Sequence, residues 1–277
     1  MIFETMGTTV SITCPNLPAR ATMEVRETFR RYDLSCSLWI ADSEASQFSR
    51  GEITLDATSG LFRDAFLECE AWEAETRGAF TPRIPTGGWD VQGIAKALAI
   101  RAAGQVLESY GATNWLINAG GDIATSGTRA DGQPWTSGIV DPEDRSRLVS
   151  RARLDGRVSA LATSGTAERG EHIWRALGPI AGGTAAHNAA FPQRGVLFSQ
   201  VSVAARDIVT ADVWATAIMS GGPATLGLAA QHDVEVLAFS PTAGWYATPM
   251  FREDTGAADA VPGSAPQAQT ERSAEAA

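Results

Sequence analysis

The chain opens on a period-two pattern. Residues 4–13, "ETMGTTVSIT", end in β-branched positions and read as one strand, with Gly7 giving the backbone freedom where it needs it. From Arg20 to Leu38 the spacing turns helical. A second helix runs through "SGLFRDAFLECEAWEAETRG", where Leu61, Phe62, Ala65, Phe66, Cys69 and Trp72 form a core stripe and Gly78 supplies a stop. A third covers "DVQGIAKALAIRAAGQVLESYG", with Asp90 near its start and Gly111 as C-cap. Strands follow in "NWLIN", "WTSGIV", "RVSALAT", "GVLFSQVSVA" and "VEVLAF", with a helix from "VTADVWATAIM" before the last of them. Strands mixed with helices, without regular βαβ alternation, predict an α+β fold rather than a doubly wound sheet. "GPIAGGTAAHNAAFPQRG" reads as a loop. The tail from about Glu253 is poor in large apolar residues and is expected to be disordered.

Composition narrows the function. At 277 residues and 44% hydrophobic, the chain can bury a sizeable core. A net charge of −10 lacks the basic footprint of a nucleic-acid binder. No apolar run reaches bilayer length, and "MIFETMGTTVSI" lacks a basic region followed by an apolar one, so no membrane insertion and a cytoplasmic location are expected. Cys14, Cys36 and Cys69 lie far apart without metal-ligand spacing and read as buried thiols. Of 22 basic residues only Lys96 is a lysine, which suggests a site wanting a compact ammonium rather than a planar guanidinium.

Four stretches could carry chemistry. In "INAGGDI", Gly120 and Gly121 could leave amides free for phosphate oxygens, or could simply turn the chain. "LATSGT", with Thr163, Ser164 and Gly165, offers the same two readings. His172 is one of three histidines and could exchange protons near neutrality. Asp212 and Thr216 sit one helical turn apart, so their oxygens can converge on a hard cation such as Mg²⁺. The plainer alternative makes Thr210 the N-cap and puts Asp212 in the first turn.

In order along the chain, "MGTTVSI", "SLWIADSEASQFS", "GAFTP", "DVQGIAKALA", "LINAGGDI", "ATSGTAERGEHI" and "VSVAARDIVTADVWATAI" resemble the blocks of the ApbE family of FAD:protein FMN transferases over roughly residues 5–240. The resemblance implies a T-fold-like α+β domain of mixed sheets packed with helices over residues 1–251, followed by a disordered tail at 252–277. It implies FAD as substrate, Mg²⁺ as cofactor, and transfer of FMN to a Ser or Thr of a protein acceptor with release of AMP. By that likeness Asp212, Thr216 and the carbonyl of Ala95 bind the metal, and His172 is the general base. Met6, Gly7, Trp39, Asp90, Gly93, Lys96, Gly120, Gly121, Asp122, Thr163, Ser164 and Gly165 fall at flavin or nucleotide positions, Trp39 replacing an aromatic that packs on the flavin.

The chain also departs from the family pattern. Phe80-Thr81-Pro82 stands for "FDPT", Val91-Gln92-Gly93 for "DLGG", Lys96-Ala97-Leu98 for "KGYA", and Ser49 for an Asn. The segment from "GAFTP" to Asp90 is short, and "WRALGPIAGG" replaces the "DPxTG" after the histidine. With water as acceptor, the same site would be a FAD pyrophosphatase. Without turnover, it would be a FAD-binding protein.

Overall fold

The computed structural model describes residues 1–165, 198–255 and 258–259. In chain order the elements are β1 (Ile2–Thr5), β2 (Thr8–Thr13), α1 (Ala19–Cys36), α2 (Glu44–Ser49), a 3₁₀ turn (Leu55–Ala57), α3 (Gly60–Glu75), α4 (Gln92–Ser109), β3 (Trp115–Ala119), β4 (Asp122–Ser126), β5 (Trp135–Val140), β6 (Leu148–Leu154) and β7 (Ala160–Gly165). Then come β8 (Gln200–Ala205), α5 (Ile208–Ala229), β9 (Glu235–Ser240), β10 (Gly244–Ala247), α6 (Pro249–Thr255) and β11 (Ala258–Asp259). This is the α+β architecture that the irregular alternation predicts.

Nine strands form one sheet in the order β1-β2-β3-β4-β7-β8-β9-β10-β11, while β5 and β6 pair in a separate ribbon. Neighbours are antiparallel except β10 and β11, so the sheet is mixed. Successive side chains point to opposite faces, and the sheet therefore separates two cores. Val10, Ile12, Ile117, Ala124, Ala160, Ala162, Val201 and Val203 face the helices, packed with Phe29, Phe62, Phe66, Ile94 and Trp214. On the other face Ile123, Leu161, Ala204 and Leu237 pack with Ile139, Ala152 and Leu154 of the ribbon and Phe251 of α6. Alanines on β7, β8 and α5 let the helix lie close against those strands.

The expected strand at residues 4–13 is a hairpin. Met6 and Gly7 both have positive φ, 50° and 67°, and join β1 to β2 in a two-residue turn that a continuous strand reading misses. α5 is capped by Asp207, which accepts from the amides of Val209 and Thr210, so Thr210 is not the cap and Asp212 lies past the first turn. The helix kinks at Gly222 (φ 64°, ψ −149°) before Pro223. α6 runs to Thr255 and β11 follows it. No helix among the described residues is long and apolar enough to cross a membrane.

Candidate functional site

One end of the sheet collects most of the singled-out residues. There the β1–β2 turn, the β3–β4 turn, the last residues of β7 and the first of β8 lie side by side, as the strand register requires. Gly120 and Gly121, with φ of 63° and 97°, make the two-residue β3–β4 turn. A Cβ on Gly120 would come within 2.3 Å of the Thr8 hydroxyl, so close approach of β2 as well as the turn demands glycine. Neither amide is free for a phosphate. That of Gly120 donates to the Thr9 carbonyl at 3.1 Å and that of Gly121 to Asn118 Oδ1 at 2.9 Å. The phosphate-cradle reading of this turn therefore fails, and the turn serves to deliver Asp122.

Asp122 is the polar centre of this end. Only 2% exposed, it accepts from the Thr163 amide at Oδ1 (3.2 Å) and holds Lys96 Nζ 2.5 Å from Oδ2. The pair ties α4 to β4 and β7. Lys96, 19% exposed, thus answers a carboxylate with the compact charge that its isolation in the sequence suggested. Gly93, a turn earlier, lies against Phe80, whose ring would stand 3.2 Å from an added Cβ.

The side chains of "TSG" separate. Thr163 points away from the helices and shares a hydrogen bond of 2.8 Å with Ser202, whereas Ser164 points towards α5 and meets the Thr216 hydroxyl at 3.1 Å. Asp212, one turn before Thr216, is 8% exposed. Trp214 lies between them in sequence and, at about 100° per residue, on the far side of the helix. It stacks there edge-on to Trp72 at 6.5 Å and tilted over His232 at 4.6 Å. This anchoring turns the oxygen-bearing face of α5 inward, and α4, which carries Ala95, packs on the same helix.

Before α4 the chain forms a tight hairpin. Arg83 bridges Trp89, the Asp90 amide returns to the Pro82 carbonyl at 2.8 Å, and the Arg83 guanidinium lies 4.6 Å from the Trp89 ring centroid. Ser49 accepts from the Trp89 amide at 2.9 Å, so the residue at an expected Asn position fastens this shortened segment. Asp90 itself accepts from the Gln92 amide at 2.7 Å, and Val91 is the N-cap of α4. Burial raises the Asp90 carboxyl above its ordinary range, opposed by the Gln92 hydrogen bond.

Met6 is held at the same end of the sheet by its amide, which donates to Asp33 of α1 at 3.2 Å. Trp39, just past α1, has 91% of its surface exposed. His172 lies outside the described residues. Sequence reasoning missed Asn118 and Asp33, which pin the two turns. An Asn two residues before Gly-Gly was the available signal for the first.

Among the described residues no three His, Cys, Asp or Glu side chains cluster as a metal site. Asp212, Thr216 and a backbone carbonyl contain one such residue, and a set of hard oxygens of this kind is compatible with Mg²⁺, which keeps few protein ligands.

Comparison with known proteins bears on the family and the fold. A Salmonella typhimurium protein named FAD:protein FMN transferase is 27% identical over 135 residues, covering 47% of this chain and 36% of the relative. The Klebsiella pneumoniae protein of that name is 26% identical over 145 residues, covering 50% and 39%. The chain thus spans little more than a third of the length of these curated relatives. The apo Pseudomonas stutzeri flavinyl transferase ApbE superposes with a TM-score of 0.72 at 20% identity, over 93% of this chain and 96% of that one. The Vibrio cholerae flavin transferase ApbE gives 0.69 at 21%, over 92% and 98%. These likenesses establish the fold. The ApbE family model matches residues 85–238, more than half of the chain, and this stretch holds Lys96, Asp122, Ser164 and the α5 oxygens: the chain belongs to the ApbE family.

Proposed function

We propose that the protein transfers FMN from FAD to a Ser or Thr hydroxyl of a protein acceptor and releases AMP. The observation that carries this reading is the meeting, at one sheet end, of the Lys96–Asp122 pair with the Ser164–Thr216–Asp212 face of α5, inside the segment matched by the family.

In this reaction the acceptor oxygen bonds to the flavin-side phosphorus. The bond from that phosphorus to the bridging oxygen breaks, and AMP departs with the bridging oxygen. The hydroxyl proton passes to His172, the base that the family resemblance assigns. Asp212, Thr216 and the Ala95 carbonyl would hold Mg²⁺. When bound, the ion neutralises the pyrophosphate and the charge developing on the leaving phosphate. Ser164 orients the Thr216 hydroxyl, and Asp122 fixes Lys96 so that its ammonium sits beside the phosphates without swinging free. Trp39 presents a bare indole for the flavin ring.

The test is chromatography of nucleotides after incubation with FAD and Mg²⁺, together with the intact mass of a candidate acceptor. A mass gain of FMN less one water, matched by AMP, is expected. AMP with free FMN and no adduct on any hydroxyl acceptor would instead make the enzyme a pyrophosphatase, and intact bound FAD would make it a binding protein. His172→Ala should abolish turnover, and activity within a few-fold of the parent would remove its role as base.

A further inference from the structure

The β5–β6 ribbon turns one side into the second core and the other to solvent. Its outer side carries Thr136, Val140, Leu148, Arg151 and Arg153, in the register Thr136↔Arg153, Gly138↔Arg151 and Val140↔Leu148. Leu148 lies across Gly138, where a Cβ would stand 2.8 Å from its Cδ1, so this leucine packs on the ribbon although 64% exposed.

The arginines of this face are loosely held, unlike six that pair elsewhere on the surface. Arg30, Arg50, Arg83, Arg101, Arg129 and Arg157 each have a carboxylate within 3.3 Å. Among the described residues Arg151 makes no ion pair or hydrogen bond, and Arg153 has only Asp155 at 3.8 Å, an exposed contact that holds it weakly. On a chain of net charge −10, the Arg151 guanidinium and the weakly held Arg153 stand on the same face as the exposed Val140–Leu148 pair. Apolar anchors beside arginines are the composition of a recognition surface.

Its position connects it to the site. Gln200 Nε2 donates to the Val140 carbonyl at 2.9 Å, and Gln200 pairs with Gly165, the last residue of β7. The Val140–Leu148 end of the ribbon therefore stands at the sheet end that gathers Ser164 and Asp122.

We infer that this outer face docks the acceptor protein, binding an acidic segment with an apolar side chain near the hydroxyl to be modified. The inference rests on the transferase reading. The guanidiniums select carboxylates, the leucine and valine take the apolar contact, and the chain's own negative charge repels acidic segments from the rest of the surface.

The experiment uses the full chain saturated with FAD and Mg²⁺. Two fluorescein-labelled peptides carry one Thr and one Leu, flanked in the first by Asp and Glu and in the second by Asn and Gln. Fluorescence anisotropy should show the acidic peptide binding about tenfold or more tightly, with the preference shrinking as salt is added. R151E/R153E should erase the preference, and Leu148→Ser should weaken binding several-fold, while FAD affinity and the unfolding midpoint stay at parental values. Equal binding of the two peptides, or a preference that survives the double reversal, would overturn the inference. So would a dimer in sedimentation that R151E/R153E dissolves, since the occupant would then be a second copy. Loss of FMN transfer with peptide selectivity intact would count against the transferase reading alone.

Discussion

Asp122 and Lys96 are unequally buried, at 2% and 19% exposure, and that inequality predicts an asymmetric mutational response. Lys96→Met strands a carboxylate that water hardly reaches, with only the Thr163 amide left to it. Leaving a buried charge uncompensated costs about 3–5 kcal/mol, and the low end applies here because one hydrogen bond remains. Asp122→Asn keeps an oxygen for the Thr163 amide and leaves an ammonium that solvent reaches, at a cost of about 1–2 kcal/mol. The double variant carries no stranded carboxylate and should resemble Asp122→Asn, giving a coupling of about 3 kcal/mol, the whole cost of Lys96→Met alone. Denaturant unfolding followed by tryptophan fluorescence measures all three. Because Lys96 is the only lysine, its acetylation rate by mass spectrometry is a second readout, and Asp122→Asn should raise it. Additive losses, or a Lys96→Met variant milder than Asp122→Asn, would refute the reasoning.

Gly120→Ala combines left-handed strain with the contact to Thr8 and should cost about 2–4 kcal/mol, against about 1–2 for Gly121→Ala, which meets nothing within 4 Å. Thermal unfolding ranks the two, and adding Thr8→Ala should recover part of the first loss only. Asp212→Asn should abolish Mg²⁺-dependent release of AMP, and Thr216→Val should raise the Mg²⁺ needed by about tenfold, both read by metal titration; an unchanged metal requirement removes these ligands. Burial pushes the Cys36 thiol up to about 12 and also raises that of Cys69 well above its ordinary range, so an aromatic disulfide reagent at mildly alkaline pH should titrate Cys14 in the folded protein and all three thiols only after unfolding. The raised carboxyl of Asp90 binds its proton more tightly when folded, so its contribution to stability is full below the ordinary value of 3.8 and is lost as pH rises through the folded value. Asp90→Asn should flatten that part of the stability profile, measured from urea midpoints across the acid range.

The long helices and most strands of the helix-facing core were legible because their apolar spacing is dictated by one-sided burial. What escaped depends on partners distant in sequence. Met6 adopts a left-handed turn under the hold of Asp33, a contact that no local pattern reveals. β6, "LVSRARL", alternates only from Ser150 to Leu154, its register shifts before that, and two of its outward residues are arginines, so its sequence carries no clear strand signal. Asp207 outcompetes Thr210 as cap of α5, although both residue types suit the position. At the candidate site, residue types were readable but orientations were not. Only the sheet register sends Thr163 to one face and Ser164 to the other, and only the hydrogen bonds reveal that the Gly120 and Gly121 amides are already engaged.

The nine-stranded sheet acts as a partition wall between two chambers that can change on separate schedules. Substitutions in the ribbon reach the helix side mainly through the few bonds that bind the ribbon chamber to the site end, among them Gln200 to Val140 and Ser202 to Thr163. Substitutions could therefore retune what the ribbon meets while the Lys96–Asp122 pair and the face of α5 keep their own contacts. The insulation is structural, and Gln200 is the place to look for any crosstalk.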